Sequence, residues 1–306
     1  TVEAAIPFKS LRYRPGRSQV WGFNLKRFSP AENESSFITR IPAGPGPRGM
    51  FMASLAATVV GMEVPSGSNN LEIKPYAISN LSSDLTSSPK VSNDLNADVG
   101  VDVKYGLTRS LTADFTYNTD FAQVEVDEQQ VNLTRFNLFF PEKREFFLEN
   151  QGTFVFGGAF LFGGGGGGGG GGFAPSVDAP LLFHSRRIGL AADRVVPIQG
   201  GGRLTGRVGR FSLGVINIQA GDEPKSGTGA TNFSVLRLKR DILRRSSIGL
   251  IATGRSAGQS GSGSNEAYGV DGTFGFYRNL MINTYWARTR TDGRSGKDTS
   301  YRGHLD

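Results

Sequence analysis

Carboxylates, cations and phenylalanines crowd into one stretch, DFAQVEVDEQQVNLTRFNLFFPEKREFFLEN, from Asp120 to Asn150. Two carboxylates facing each other across a cleft could hydrolyse a glycosidic bond, one as acid and the other as base or nucleophile. The pairs on offer are Glu125 with Glu128 and Glu142 with Glu145, but nothing in the sequence sets either pair across a cleft. Asp120, Glu125, Asp127 and Glu128 also invite a calcium site, yet the fixed ligand spacing of a calcium loop is absent. The better reading is a charge network, solvated or facing a water-filled lumen, of Asp120, Glu125, Asp127, Glu128, Arg135, Lys143 and Arg144. The balance is against an enzyme without closing the question, and no catalytic residue, metal or cofactor is assigned.

Composition bounds the other chemistries. Cysteine is absent, so there is no thiolate nucleophile, thiolate metal site or disulfide framework. With His184 and His304 as the only histidines, a multi-histidine metal site is excluded. The glycine run from Gly163 to Gly172 contains a GxGxxG pattern, as any unbroken run must, and no strand–turn–helix surrounds it. A flexible loop is expected there. The net charge of +7 suggests nucleic acid, but no binding motif accompanies it. The cations are instead spread through alternating segments, which suits a pore lining or loops facing anionic lipopolysaccharide.

These residues need a scaffold, and the scaffold reads as β. An apolar fraction of 38% is low for a soluble globule, and 43 glycines suit turns and tight corners. No apolar run approaches the roughly 20 residues of a membrane helix, a test that β-barrels escape because lipid-facing and lumen-facing residues alternate. The clearest signal places Val99, Val101, Val103 and Tyr105 on one face against Asp98, Gly100, Asp102 and Lys104. Leu111, Ala113, Phe115 and Tyr117 repeat it against Thr112, Asp114, Thr116 and Asn118, after a short connection, GLTRS. Soluble sheets alternate too, and this hairpin alone suits one better. It also obeys the barrel constraint, since a Lys at the bilayer midplane costs about 2–4 kcal/mol and Lys104 lies on the other face.

Around that hairpin, LEIKPYAIS from Leu71 reads as a first strand, followed by a polar loop through Asn96. Pro141, Glu142 and Gly152 mark a short helix from about Pro141 to Asn150, with Phe139, Phe140, Phe146 and Phe147 to pack. The β pattern resumes at Leu181. As a strand, LLFHSRRIGL would point Arg186 and Arg187 to opposite faces, one to the lumen and one to a rim or bulge. Two strands flank a turn at Gly209-Arg210, and NFSVLRLKRDIL, SSIGLIATGRS, EAYGVDGTFGFYRN and LMINTYWARTRT follow. Alternation makes Arg203, Arg207, Arg237 and Lys239 lumen candidates favouring anionic solutes, an assignment that one bulge would reverse.

Upstream, Val2, Ala4, Ile6 and Phe8 share a face, Pro15-Gly16 makes a turn, and Val20, Gly22 and Asn24 alternate with Trp21, Phe23 and Leu25. Most strand aromatics are core, and a sugar platform would need them exposed. PAGPGPRG then reads as linker, and MFMASLAATVVGMEV as a strand or a segment at a barrel mouth.

Several of these segments resemble known proteins. NADVGVDVKYGLT from Asn96, NTDFAQVEVDEQQVNLTRF from Asn118, LFFPEKREFFLEN from Leu138 and SRRIG from Ser185 resemble the core of a bacterial family of outer-membrane β-barrel proteins. Those proteins carry a family-nine-like carbohydrate-binding domain ahead of the barrel. The pattern from Glu3 to Leu11 and Trp21–Asn24 resembles the final strands of such a domain. The resemblance implies an all-β chain: residues 1–42 end the carbohydrate-binding sandwich, 43–70 link, and 71–306 begin an antiparallel transmembrane barrel that continues past Asp306. An insert at about 120–150 would plug it or lie in the periplasm. Also implied are the outer membrane of a Gram-negative bacterium, lipid and lipopolysaccharide as partners, and a glycan as a possible ligand. The expected function is a channel or transporter linked to carbohydrate binding or uptake. The alternatives are a surface adhesion protein anchored by a plugged barrel and, less so, a glycan hydrolase. No substrate, sugar-binding residue or oligomeric state follows, and no nucleic-acid partner is expected.

Overall fold

The computed structural model describes residues 3–8, 11, 13, 19–41, 50, 55–64, 71–84, 91–108, 110–119, 142–157, 179–191, 194–224, 227–243, 246–256, 263–276 and 280–305. Asp120, Glu125, Asp127, Glu128, Arg135, Phe139, Phe140 and the glycine run lie outside these residues. The chain divides into two compact units, Thr1–Asn69 and Asn70–Asp306.

In the first unit, β1 (Gln19–Phe23), β2 (Lys26–Ser29), β3 (Glu34–Phe37) and β4 (Ala57–Met62) form two antiparallel pairs, β1 with β4 and β2 with β3. The apolar stretch after the expected linker thus supplies a strand to this unit. Trp21 is half-buried, its ring centroid 6.0 Å from that of Tyr13 and 6.3 Å from that of Phe8.

The second unit is built on one antiparallel sheet of ten strands. Its strands are β5 (Leu71–Asp84), β6 (Val91–Thr108), β7 (Leu111–Tyr117), β10 (Ile198–Val208), β11 (Phe211–Ala220), β12 (Thr231–Leu243), β13 (Ser246–Arg255), β14 (Asn265–Phe276), β15 (Leu280–Thr291) and β16 (Thr299–Leu305). A two-residue ribbon, β8 (Leu190–Ala191) with β9 (Arg194–Val195), stands apart. Sheet order follows chain order throughout, and the sheet is open, with β5 and β16 at its edges. This is the all-β antiparallel class that the alternating pattern predicts, in a form compatible with part of a barrel. The polar loop expected through Asn96 is shorter than that, because β6 already pairs with β5 from Val91.

Period-two alternation gives the sheet two unlike faces. On one lie Ile73, Val103, Phe115, Leu204, Val215, Leu236, Leu250, Val270, Trp286 and Tyr301, each opposite the next or a near neighbour in the register. These apolar side chains stay open to solvent in this isolated sheet: Val270 is 54% exposed, Phe115 57% and Tyr301 79%. We refer to this as the bare face. The other face carries Glu72, Lys74, Asp102, Lys104, Asp114, Arg203, Arg237 and Asp271, together with Ile216, Ile218 and Ile251. Much of it is buried.

The connections also sort by length. At one end of the sheet they are residues 109–110, 209–210, 244–245 and 277–279; at the other they are 85–90, 118–197, 221–230, 256–264 and 292–298. Gly209, at φ +61°, supplies the left-handed step of the expected Gly209-Arg210 turn. The chain enters β5, at Leu71, from the short-turn end.

Candidate functional site

What buries the second face is the long connection between β7 and β10. Its longer described parts, 142–157 and 179–191, hold a four-residue helix α1 (Glu145–Leu148), a 3-10 turn Gln151–Phe154 and another at Ser185–Arg187. Phe146, Phe147, Phe154 and Ile188 form one apolar cluster with Ile198, Ile216, Ile218 and Val235 of the sheet. Phe156 forms a second with Ile251 and Ala287.

The helix is shorter than the predicted Pro141–Asn150 span. Glu142 Oε1 accepts the backbone N–H groups of Lys143 and Arg144 at 3.1 and 3.0 Å, and Arg144 is extended. Asn150, at φ +54°, turns the chain out of α1 before Gly152 is reached. The expected strand at LLFHSRRIGL is also replaced. Ser185–Arg187 is a 3-10 turn, with Arg186 buried and Arg187 exposed, because its carbonyls are drawn to Arg144.

Three arginines fasten this insert. Arg144 is bidentate to Glu142, with Nε and Nη2 each at 2.8 Å, and donates to the carbonyls of Ile188 at 2.7 Å and Ser185 at 2.8 Å. Ser185 Oγ donates to Glu142 Oε2 at 2.7 Å, and the guanidinium lies 4.3 Å from the Phe147 ring. These contacts stitch the two described halves of the insert together. Burial would push the Glu142 carboxyl up, but the hydrogen bonds and charge of Arg144 and the Ser185 hydroxyl outweigh it and hold the group below its usual value.

Arg203, on β10, binds Asp114 of β7 at 3.0 Å, donates to the Glu149 carbonyl at 2.7 Å and lies over Phe146 at 5.1 Å. Beside it, Asn150 Nδ2 donates to Thr205 Oγ1 at 3.1 Å. Arg237, on β12, reaches over β13 to Asp271 of β14 with two bonds of 2.6 and 2.7 Å. Asp271 also accepts the Gly157 N–H at 3.1 Å, and Arg237 lies 5.8 Å from the Phe156 ring. Two glycines complete the fit. A Cβ on Gly214 would come within 2.8 Å of the Phe154 ring, and one on Gly269 within 2.6 Å of Phe156.

Gly214→Val should therefore push Phe154 out of its seat, at an overpacking cost of about 1–3 kcal/mol. Faster tryptic cleavage within the insert, with the sheet intact, is the expected result; unchanged cleavage would mean that the seat is not needed.

The sequence-predicted residues divide accordingly. Arg203 and Arg237 do lie on the charged face, but each is buried and neutralised by a carboxylate, so neither offers its charge to an anionic solute. Arg207 and Lys239 share that face and are exposed, Arg207 paired with Asp241. Arg144 and Arg186 are buried in the insert, and Lys143 is half-buried. Glu142 and Glu145, drawn together as a hydrolytic pair, differ in setting: Glu142 is bound to Arg144, while Glu145 meets Lys74 at 2.5 Å. Sequence reasoning missed Asp114, Glu149 and Asp271 as docking partners. The one available signal was an acid set among Ala267, Gly269 and other small residues along β14. Among the described residues, no three histidines or carboxylates gather as a metal site would require.

Fold and site define an all-β antiparallel sheet with a bare apolar face and a charged face covered by its own insert. Residues 69–163 match a family model described as a domain of unknown function, DUF5916. The match takes in β5 to β7 and the first part of the insert. Neither a curated protein nor a solved structure matches the chain.

Proposed function

We propose that the second unit is part of an outer-membrane β-barrel, and that its insert narrows a channel through it. The observation that carries this reading is the polarity of the sheet. Charged residues on the bare face occur only toward strand ends, as Arg240, Glu266, Arg288 and Arg290. The cost of a lipid-facing Lys or Arg, about 2–4 kcal/mol at the midplane, falls to about 0–1 near the interfaces. A soluble sheet would bury its most uniformly apolar face; here the insert covers the face that mixes charges with Ile216, Ile218 and Ile251, and the apolar face is left bare. The two classes of connection support the same reading, since outer-membrane barrels have short periplasmic turns and longer extracellular loops. Leu71 then lies on the periplasmic side, and the insert is a loop from the outer end folded inward. The link to carbohydrate rests on the resemblance of Glu3–Leu11 and Trp21–Asn24 to a glycan-binding module, and no sugar-binding residue is assigned.

The test is to express the full polypeptide, fractionate the membranes and compare gel migration with and without boiling. Recovery in the outer membrane with a heat-dependent shift is the expected outcome. Soluble recovery without a shift would overturn the reading in favour of a secreted β protein.

A further inference from the structure

The insert does not meet the sheet in the same way on its two flanks. Toward β11–β15 it is sealed by Phe154 and Phe156 in their seats and by the buried Arg237–Asp271 pair. Toward β5 and β6 the contacts are solvated. Lys74 meets Glu145 and Lys104 meets Glu149, each at 2.5 Å, with the Lys side chains 43% and 40% exposed. Between them lies a small cavity of about 40 Å³, lined by Glu72, Lys74, Asp102, Lys104, Glu145 and Glu149 among others. That is room for about one water molecule.

We infer that this seam, granted the channel reading above, is the path by which small hydrophilic solutes and ions cross, with the two lysines as its latch. Exposed ion pairs are weak and buried ones costly to break, so the insert and the wall part first where Lys74 and Lys104 bridge them. Lys74 has a second partner on its own strand, Glu72, at 3.5 Å. It can therefore swing from Glu145 to Glu72 without giving up an ion pair, and the gap opens. The wall side carries both signs, Lys74 and Lys104 beside Glu72 and Asp102, whereas the charged groups on the insert edge are the carboxylates of Glu145 and Glu149. A field across the gap favours small dipolar or charged solutes over apolar ones. Buried Arg203 also lines the cavity and stays in place, holding the Glu149 carbonyl while the lysine pairs part.

The experiment uses the full polypeptide in planar bilayers under a salt gradient. Lys74→Gln with Lys104→Gln should raise conductance severalfold and shift the reversal potential toward cation preference. Glu145→Gln with Glu149→Gln should also raise conductance but shift the potential the opposite way. Reversal potentials unchanged in both pairs, in channels that conduct, would overturn the seam while leaving the channel. Should the unaltered protein insert, show its heat shift and stay silent, the fourfold variant must conduct; continued silence would also overturn the seam. Failure of the protein to enter membranes at all would instead count against the barrel reading on which the seam rests. The four positions lie on solvated contacts, so the heat shift should be retained in every variant and serves as the folding control.

Discussion

Arg144→Ala is expected to release residues 142–157 from residues 185–188 while leaving the ten-stranded sheet assembled. The substitution leaves the Glu142 carboxylate, whose side chain is fully buried, without its counter-charge, and removes the guanidinium donors from the carbonyls of Ser185 and Ile188. Breaking a buried pair by removing one partner costs about 3–5 kcal/mol, enough to convert a docked segment into an open one. Hydrogen exchange across the insert should speed up by orders of magnitude, with β10–β15 amides unchanged; uniform protection in the variant would refute the stitch. Arg144→Lys should rescue little, because an ammonium cannot reproduce the two-pronged bond to Glu142 together with the two carbonyl contacts. Acid should mimic the substitution. The Glu142 carboxyl is held below the ordinary value of 4.5, so its contribution is complete above that value and is lost as the pH falls through the lowered one. Detachment is thus expected only in acid below 4.5, and the same titration of the Arg144→Ala protein should be flat.

Asp271→Ala should have an effect of similar size by a different route. Arg237 is 1% exposed, and without Asp271 its charge is left buried with only the Phe156 ring beside it. The Gly157 N–H loses its acceptor in the same step. The expected loss is again about 3–5 kcal/mol, shared between docking of the insert and cohesion of the β12–β13–β14 strip that the pair spans. The double variant Arg237→Met with Asp271→Leu should be markedly less destabilised than Asp271→Ala, since no charge then remains without a partner. A thermodynamic cycle over the single and double variants, read from urea-induced loss of the heat-dependent gel shift, measures the coupling. Additive single and double losses would show that the pair is incidental to docking.

The sheet was legible in the sequence and the insert was not, for reasons visible in particular residues. Val99 to Tyr105 and Leu111 to Tyr117 announce their faces because period two is a local property of a strand, and their register follows from the short connection between them. The same logic places Arg203, Arg207, Arg237 and Lys239 on one face of their strands. It says nothing about what lies over that face. Arg237 and Asp271 are 34 residues apart, and Arg144 and Ile188 are 44 apart; no spacing rule links them. The predicted helix over Pro141–Asn150 had its starting signals in place, but Glu142 is committed to Arg144 and Ser185, and the first turns are drawn straight. LLFHSRRIGL has the apolar alternation of a strand, yet the carbonyls of Ser185 and Ile188 find Arg144, and only Leu190 at its end pairs as a strand, with Val195. Propensity gave way to long-range pairing of buried polar groups in both segments.

The place where the insert leaves the sheet also bears on how the chain assembles. Within the ten-stranded sheet every pairing but one joins strands separated by ten residues or fewer, whereas β7 and β10 are separated by residues 118–197. Closing so long a loop, compared with a two-residue turn, costs about 3 kcal/mol of chain entropy on logarithmic scaling. Hairpins zip rapidly and distant contacts wait. The sheet therefore has two natural blocks, β5–β7 and β10–β16, each templated by its own neighbours. Their junction is the slowest pairing to form, and Arg203 with Asp114 sits across it. The bond that joins the blocks also carries the Glu149 carbonyl, so completing the wall and seating the insert are one event.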